Sequence, residues 1–529
     1  MLWAIYRFKL YQIMINHVLF INPLVSLDDG RLFELEFPSH VIYLASFLED
    51  RISNVNIKCL DFIIEEKINK TIDLRTIEGL TSFLKEFIDS SFKFIANDEL
   101  FIAISCFSSF HYLNTLKVIK ALHLLTASSS IPIPRIIVGG YHASALPSDF
   151  DDYGVDYIIR GEGEVALYSI LKHGRKNSDK ISKSNQILWG DIIEDLNTMP
   201  LMNFLHYERY LPYYPHLSIA LSRGCPSSCN FCIESLLSRK KTKTLQWRSY
   251  SKDRARVEIN NVMKISDEYL RTNKEKVLGF YDPTFGFNIK WRDSILDYLF
   301  ELKSGYEIWL ETRVETINKK RLSKFKDANA HFMLGMESAS PRMLSIMKKT
   351  KNPSYFLDKI EEIVRISNKL DYGPFILNLL LNFPGETKNT IEETFSFLNK
   401  LIIDGCRFNT TCMFYTLFPG DGIYRSMGRW EEKHGTKFYY KDWWKDEATM
   451  ISGSIIDPSY SLNFDESAFI YGEKISNFYK NCMTTFSELK YKIYFIKRIK
   501  SITETLRKQQ YIYRKVPGNE SMLKARSSM

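Results

Sequence analysis

Short apolar runs bounded by turn residues recur through the first 175 residues, and the segments between them carry apolar positions at helical spacing. The runs His17–Pro23, Asn56–Phe62, Leu100–Cys106, Arg135–Gly140 and Asp156–Arg160 predict strands. Val41–Asp50 and Tyr112–Leu125 predict helices between them. Strands that alternate with helices are the pattern of a parallel sheet covered on both faces. The expected fold of this region is therefore α/β, a doubly wound, Rossmann-like parallel sheet. Ligands of such sheets bind beyond the C-terminal strand ends. Gly139 and Gly140 fall at one such end, where a missing side chain lets another backbone or a ligand approach; a tight turn alone accounts for them equally well.

A polar stretch from Gly174 to Asn185 reads as the start of a surface linker. A second alternation follows, with strands expected at Leu217–Ser222, Val277–Asp282, Glu307–Glu311, His331–Glu337, Phe375–Phe383 and Phe408–Leu417. The intervals between these runs leave room for the crossover helices that parallel strands require. Beyond Gly420 the pattern turns aromatic, from Trp430 to Trp444 with Tyr439, Tyr440 and Trp443 close together, and then helical. Those aromatics read as packing, with a substrate platform as the alternative. The expected domains are 1–173, a linker over 174–212, a barrel-like domain over 213–428 and a small, mainly helical C-terminal cap over 429–529.

Composition narrows the setting. With 45% hydrophobic and 25% charged residues, the 529-residue chain has the balance of a globular protein of two or three domains. Its net charge of +9 is modest against 71 basic and 62 acidic residues. Lys490, Lys492, Lys497, Arg498, Lys500, Arg507 and Lys508 concentrate some of it near the C-terminus, where a solvated helix face is the simplest reading and an anionic contact the alternative. Nucleic acid is not an expected partner. Arg7 and Lys9 interrupt the apolar N-terminus, which is not the pattern of a secretory signal, and no run of 18 apolar residues predicts a membrane span. Clustered thiols without a disulfide framework point to a reducing, cytoplasmic setting.

The chemistry is concentrated in Cys225-Pro-Ser-Ser-Cys229-Asn-Phe-Cys232. With 8 cysteines in the chain, chance would produce this spacing at roughly 0.002 per chain. Three thiolates can hold three irons of a [4Fe–4S] cube and leave the fourth open to a small molecule. The alternative, a zinc knuckle, needs a fourth Cys or His, and the nearest candidate is His216.

The spacing, with apolar Phe231 before the last cysteine, resembles the radical S-adenosylmethionine (SAM) superfamily. Ile136–Pro147, Val155–Glu164, Gly335–Leu344, Phe383–Thr387 and Phe418–Tyr424 resemble, in that order, members with an N-terminal B12-binding domain. The resemblance implies a partial (β/α)6 barrel, a [4Fe–4S] cluster on Cys225, Cys229 and Cys232, and reductive cleavage of SAM to a 5'-deoxyadenosyl radical. It implies a SAM site near Phe231, Asp282, Arg313, Gly335, Glu337 and Ser338, and a cobalamin near Gly139, Gly140, Tyr141 and His142. The D-x-H-x-x-G stretch whose histidine ligates cobalt in some B12 domains is missing from the sequence. The resemblance also implies a small-molecule or peptide substrate, a reductant such as a flavodoxin or ferredoxin, and C-methylation through cobalamin. One alternative is peptide epimerisation, with Cys406 or Cys412 returning a hydrogen atom to the substrate radical. Another, of a different class, is a non-catalytic iron–sulfur sensor or electron-transfer protein.

Overall fold

The computed structural model describes residues 15–25, 36–95, 97–128, 131–173, 186–237, 247–270, 276–373, 375–450, 453–486 and 488–516. The N-terminal residues with Arg7 and Lys9, the polar stretch 174–185 and the end of the basic tail lie outside them. The chain packs as two units. One comprises Met1–Val25, His40–Ile193 and Pro200–Tyr207; the other comprises Ser26–Ser39, Glu194–Met199 and Glu208–Met529.

The first unit is built on six strands, β1 (Asn16–Asn22), β2 (Val55–Asp61), β3 (Glu99–Ser105), β4 (Arg135–Gly139), β5 (Tyr157–Arg160) and β6 (Gln186–Trp189). They lie in the order β2-β1-β3-β4-β5-β6, all parallel. The order reverses between β1 and β3, the switch point where the crevice of such a sheet opens. Every residue of β1 is buried, as a central strand covered on both faces requires. β6 falls inside the segment read as a linker. It is a short edge strand, Gln-Ile-Leu-Trp, with no buried residue, and its three apolar residues directly follow the polar stretch 174–185.

The second unit contains β7 (Leu217–Ile219), the antiparallel pair β8 (Ser222–Arg223) and β9 (Arg248–Ser249), and then β10 (Val277–Phe280), β11 (Glu307–Thr312), β12 (Ala330–Glu337), β13 (Ile376–Leu381) and β14 (Asn409–Phe414). β7 and β10 to β14 form a parallel sheet in chain order. Right-handed crossovers between consecutive parallel strands set all the helices on one face. The burial pattern agrees. In β12, Ala330, Phe332, Leu334 and Met336 are buried, whereas His331, Met333, Gly335 and Glu337 are partly accessible. The accessible set lines the inner face, and the loops after the strands gather at its C-terminal mouth.

The C-terminal segment packs with this sheet as part of the same unit. It adds an antiparallel pair, β15 (Lys437–Tyr439) and β16 (Ile455–Asp457), and two long helices, Phe464–Thr485 and Leu489–Arg514. Trp443 and Trp444 are wholly buried, which makes them core rather than a platform. Among the described residues, no helix is long and apolar enough to cross a membrane.

A buried polar network ties the strand ends to the helix Phe464–Thr485. Glu386 accepts from Tyr471 and from the Phe383 amide (3.2 Å), and Ser467 donates to Asn382 Oδ1 (2.5 Å). Burial pushes the Glu386 carboxyl up to about 7, against the pull of these hydrogen bonds. An unfolded glutamate titrates near about 4.3. Between those values the folded chain holds a proton that the unfolded chain has lost. The stabilisation is therefore complete below about 4.3 and disappears as the pH rises through about 7. Glu386→Gln keeps an acceptor without the charge. It is expected to melt a few degrees above the wild type at pH 8, a gain on the order of 2 kcal/mol, and to lose that advantage at pH 5. Thermal melts of both proteins at both pH values check this; a gain equal at the two pH values would contradict it.

Candidate functional site

The cysteine loop follows the β8 strand and is set by groups the motif itself does not contain. Asp282, just past β10, is 3% exposed, accepting from the Ser222 hydroxyl and, at 3.4 Å, from the Leu221 amide. Burial pushes its carboxyl up to about 7, with those hydrogen bonds opposing. It pins the chain three residues ahead of Cys225 rather than facing a SAM ammonium.

Asn230 anchors the loop from within. Its amide donates to Met347 O (2.9 Å), its side chain donates to Ile346 O (2.8 Å), and its carbonyl accepts from the Gly422 amide (2.7 Å). One residue thus ties the loop to the chain after β12 and the chain after β14. Next to it, the half-buried Phe231 meets Phe383 edge-on at 6.3 Å and packs on a core of Met343, Met347 and Tyr415. Arg313 braces the other side, donating to Ser227 Oγ (2.8 Å), Glu315 Oε1 (2.5 Å) and Lys349 O (3.2 Å). Its guanidinium holds the loop through these three contacts.

Cys225 Sγ lies 3.2 Å from Thr284 Oγ1. Burial pushes the Cys229 thiol up, and the Lys349 and Arg313 cations pull it back. Burial pushes Cys232 up to about 12, with the Glu234, Cys229 and Cys225 charges adding to it. Holding iron therefore releases protons and is favoured by the two neighbouring cations. Three sulfur donors beside two cations are a fitting set for an anionic iron–sulfur cluster. Among the described residues no three His, Cys, Asp or Glu side chains close around a single ion, and His216, the fourth zinc ligand considered, faces the Tyr281 hydroxyl at 3.2 Å.

At the mouth beside this loop stands a pair that the sequence does not single out as a pair. Glu337 has φ +66° and accepts from Lys349 Nζ at 2.9 Å, with both side chains 11% exposed. Gly335 makes room for it: a Cβ there would sit 2.5 Å from Glu337 Oε1 and 2.6 Å from Lys349 Nζ. Ser338, by contrast, is 2% exposed and turned to Thr394 Oγ1 (3.0 Å) and the Ser340 amide (3.0 Å), so it faces the helices and not the mouth. Cys406 lies between the helix Lys388–Ile403 and β14, at the N-terminal strand end opposite the cysteine loop. Cys412 is buried, neighbouring Thr410 Oγ1 at 3.9 Å and interacting with Arg498 and Tyr479 of the two long C-terminal helices. Neither thiol faces the lumen.

In the first unit, Gly139 and Gly140 end β4 as expected. Gly140 has φ +110°, and a Cβ would meet Cys106 O at 2.4 Å, so this glycine is required by the turn. Gly139 is open: the nearest atom to an added Cβ is 3.8 Å away. Tyr141 is partly exposed beside Phe107 (5.2 Å between rings). His142 is 1% exposed, its Nδ1 2.9 Å from Ser109 Oγ and its Nε2 3.3 Å from Asp149. It is held within the unit by these two partners. An open glycine and an aromatic edge at these strand ends suit the flat face of a corrinoid without a ligand from His142.

Residues 219–398 match the radical SAM superfamily. An uncharacterized methyltransferase of Pyrococcus horikoshii is 28% identical over 308 residues, which cover 55% of this chain and 62% of that protein. The hopanoid C-3 methylase of Methylococcus capsulatus is 26% identical over 264 residues, 46% of this chain and 47% of the methylase. The chain thus spans about half to three fifths of the length of these relatives. The cobalamin-dependent SAM radical enzyme OxsB, solved with aqua-cobalamin and SAM bound, shares the fold. Its TM-score is 0.63 at 14% identity, over 96% of this chain and 74% of that one.

Proposed function

We propose that this chain, whose residues 219–398 match the radical SAM superfamily, is a radical SAM enzyme with a B12-binding-like domain ahead of its barrel, and that it methylates a carbon of a small molecule or peptide, with cobalamin as the methyl carrier. The observation that carries the reading is the cysteine loop itself: three thiols braced by Asn230 and Arg313 against the mouth of a parallel barrel. When bound, the cluster supplies the electron that cleaves SAM, and the corrinoid carries the methyl group. Cys225, Cys229 and Cys232 hold the cluster. Glu337 and Lys349 present opposite charges at the same mouth and match the ammonium and carboxylate of SAM's amino-acid end. Phe231, packed on Phe383, gives an adenine an apolar, water-excluding edge.

Methyl transfer is favoured by the relatives, two of which carry methyltransferase or methylase in their names. The epimerase reading draws no support from them, and the positions of Cys406 and Cys412 count against it. The proposed reaction needs an electron donor, for which a flavodoxin or ferredoxin in the cytoplasm is suited. Residues 1–173 are assigned to cobalamin, 213–428 to the cluster and SAM, and 429–529 to closing the substrate side.

The test is cobalamin retention. Protein purified anaerobically, reconstituted with iron and sulfide, mixed with hydroxocobalamin and desalted is expected to keep about one cobalamin per four irons. Four irons with no corrinoid would overturn the cobalamin-dependent reading.

A further inference from the structure

Two polar side chains leave the turn after β10 for the cysteine loop and the strand ahead of it. Asp282 pins that strand through the Ser222 hydroxyl and the Leu221 amide. Two residues on, Thr284 is 5% exposed, and its Oγ1 lies 3.2 Å from Cys225 Sγ. Backbone contacts on both sides set this placement. Trp247 Nε1 donates to Thr284 O at 3.0 Å. The Phe285 amide donates to Glu311 O at 2.8 Å, and Phe285 O accepts from Thr312 Oγ1 at 3.0 Å, so the turn is fastened to the end of β11. Phe285 is fully buried, and Pro283 fixes its own φ just before Thr284.

The Thr284 hydroxyl has one proton and two acceptors within reach. Besides the sulfur, Oγ1 lies 2.7 Å from Pro283 O, a neutral carbonyl. While Cys225 is a thiol, its own proton can serve the contact and leave the hydroxyl proton on Pro283 O. An iron-bound cysteine has lost that proton, and its anionic sulfur can only accept. Hydrogen bonds to an ionised acceptor are about twice as strong as neutral ones. Loading the loop with iron therefore turns the hydroxyl from Pro283 O to Cys225 Sγ, in a site shielded from water. Reduction adds negative charge around that sulfur, so the same bond stabilises the reduced state more than the oxidised one.

We propose that Thr284 is a positioning residue for electron transfer: its hydroxyl donates to the Cys225 sulfur of the loaded cluster and raises the cluster's reduction potential. The proposal rests on the assignment of the cluster to Cys225, Cys229 and Cys232. The electron comes from an external one-electron reductant, and the hydroxyl proton stays on Thr284 in both oxidation states. The consequence is a cluster that a milder donor can reduce.

The test is a redox titration of reconstituted full-length protein, with dithionite and mediators as reductant and the EPR signal of the reduced cluster as readout. Wild type, Thr284→Val, Thr284→Ala and Thr284→Ser are compared without SAM, and the iron content of each is measured. Val keeps the shape of Thr without the donor, Ala removes both, and Ser restores the donor alone. At a fixed potential the reduced-to-oxidised ratio is expected to fall about tenfold in Val and Ala, a shift of about 59 mV to lower potential. Ser is expected to stay within about twofold of the wild type. An unshifted potential in Val and Ala overturns the proposal, and so does a shift shared by Ala and Ser but absent in Val, which would follow size and not hydrogen bonding. Iron lost from both Val and Ala would make Thr284 a structural part of the loop and overturn it as well. Failure of the underlying assignment looks different: a wild type without a reducible four-iron cluster would overturn the cluster itself and this proposal with it.

Discussion

Replacing Cys225, Cys229 or Cys232 singly with alanine is expected to abolish 5'-deoxyadenosine formation and to strip most of the iron. On the proposed reading each thiol is one of three protein ligands, and neither Cys406 nor Cys412 of the same unit is placed to substitute. Cys406 lies at the opposite end of the barrel, and Cys412 faces the C-terminal helices. The effect separates an enzyme from a protein merely stabilised by these residues. All three side chains are small and the loop's own backbone bonds run through Asn230, so the fold is expected to survive with circular dichroism unchanged. Iron quantitation after reconstitution, with chromatography of SAM products, checks it. A variant with full iron and wild-type deoxyadenosine release would remove that cysteine from the ligand set.

Gly422→Ala is expected to have the next largest effect, although Gly422 is remote in the chain from the three cysteines. A Cβ at Gly422 would lie 2.8 Å from Asn230 O and 3.2 Å from Asn230 Cα. Those are backbone atoms, already fixed by bonds to Ile346 and Met347, and they cannot rotate away. Overpacking of this kind costs about 1–3 kcal/mol. Here the yielding part is the stretch between Cys229 and Cys232. The expected result is iron loading reduced by about half or more, with melting behaviour shifted only modestly. Gly428→Ala is the matched control, since a Cβ there meets nothing within 4 Å, and it should load iron like the wild type. Full loading in Gly422→Ala would show that Asn230 does not set the ligand geometry.

Much of the fold is legible in the chain. Each expected strand lies within two or three residues of an observed one, because buried parallel strands are continuous apolar runs. β6 escapes because its apolar run is only three residues long, Ile187-Leu188-Trp189, and follows a polar stretch that reads as linker. The cysteine loop is legible because three thiols so close together are a costly, reactive arrangement unless they share a metal group. The polar residues around it are harder. A polar residue at a strand end can turn into the mouth or back onto a neighbouring loop, and one sequence does not say which. Asp282 and Ser338 turn back, Glu337 turns in, and Arg313 reaches sideways to Ser227. Lys349 sits in a Lys-Lys pair that reads as solvated surface, yet it completes the ion pair with Glu337. Asn230 gives no signal of its own, because an asparagine between two ligands reads as an ordinary loop residue.

On the proposed reading, one protein uses SAM in two ways, as the source of the radical and as the source of the methyl group. The most direct measurement is the yield of S-adenosylhomocysteine and 5'-deoxyadenosine from SAM and reductant, with and without added cobalamin. No substrate is needed for a first turnover that transfers the methyl group to the reduced corrinoid. Deoxyadenosine is expected in both samples and S-adenosylhomocysteine, about one per protein, only where cobalamin is present. Deoxyadenosine alone in both samples, from protein that holds cobalamin, would contradict it.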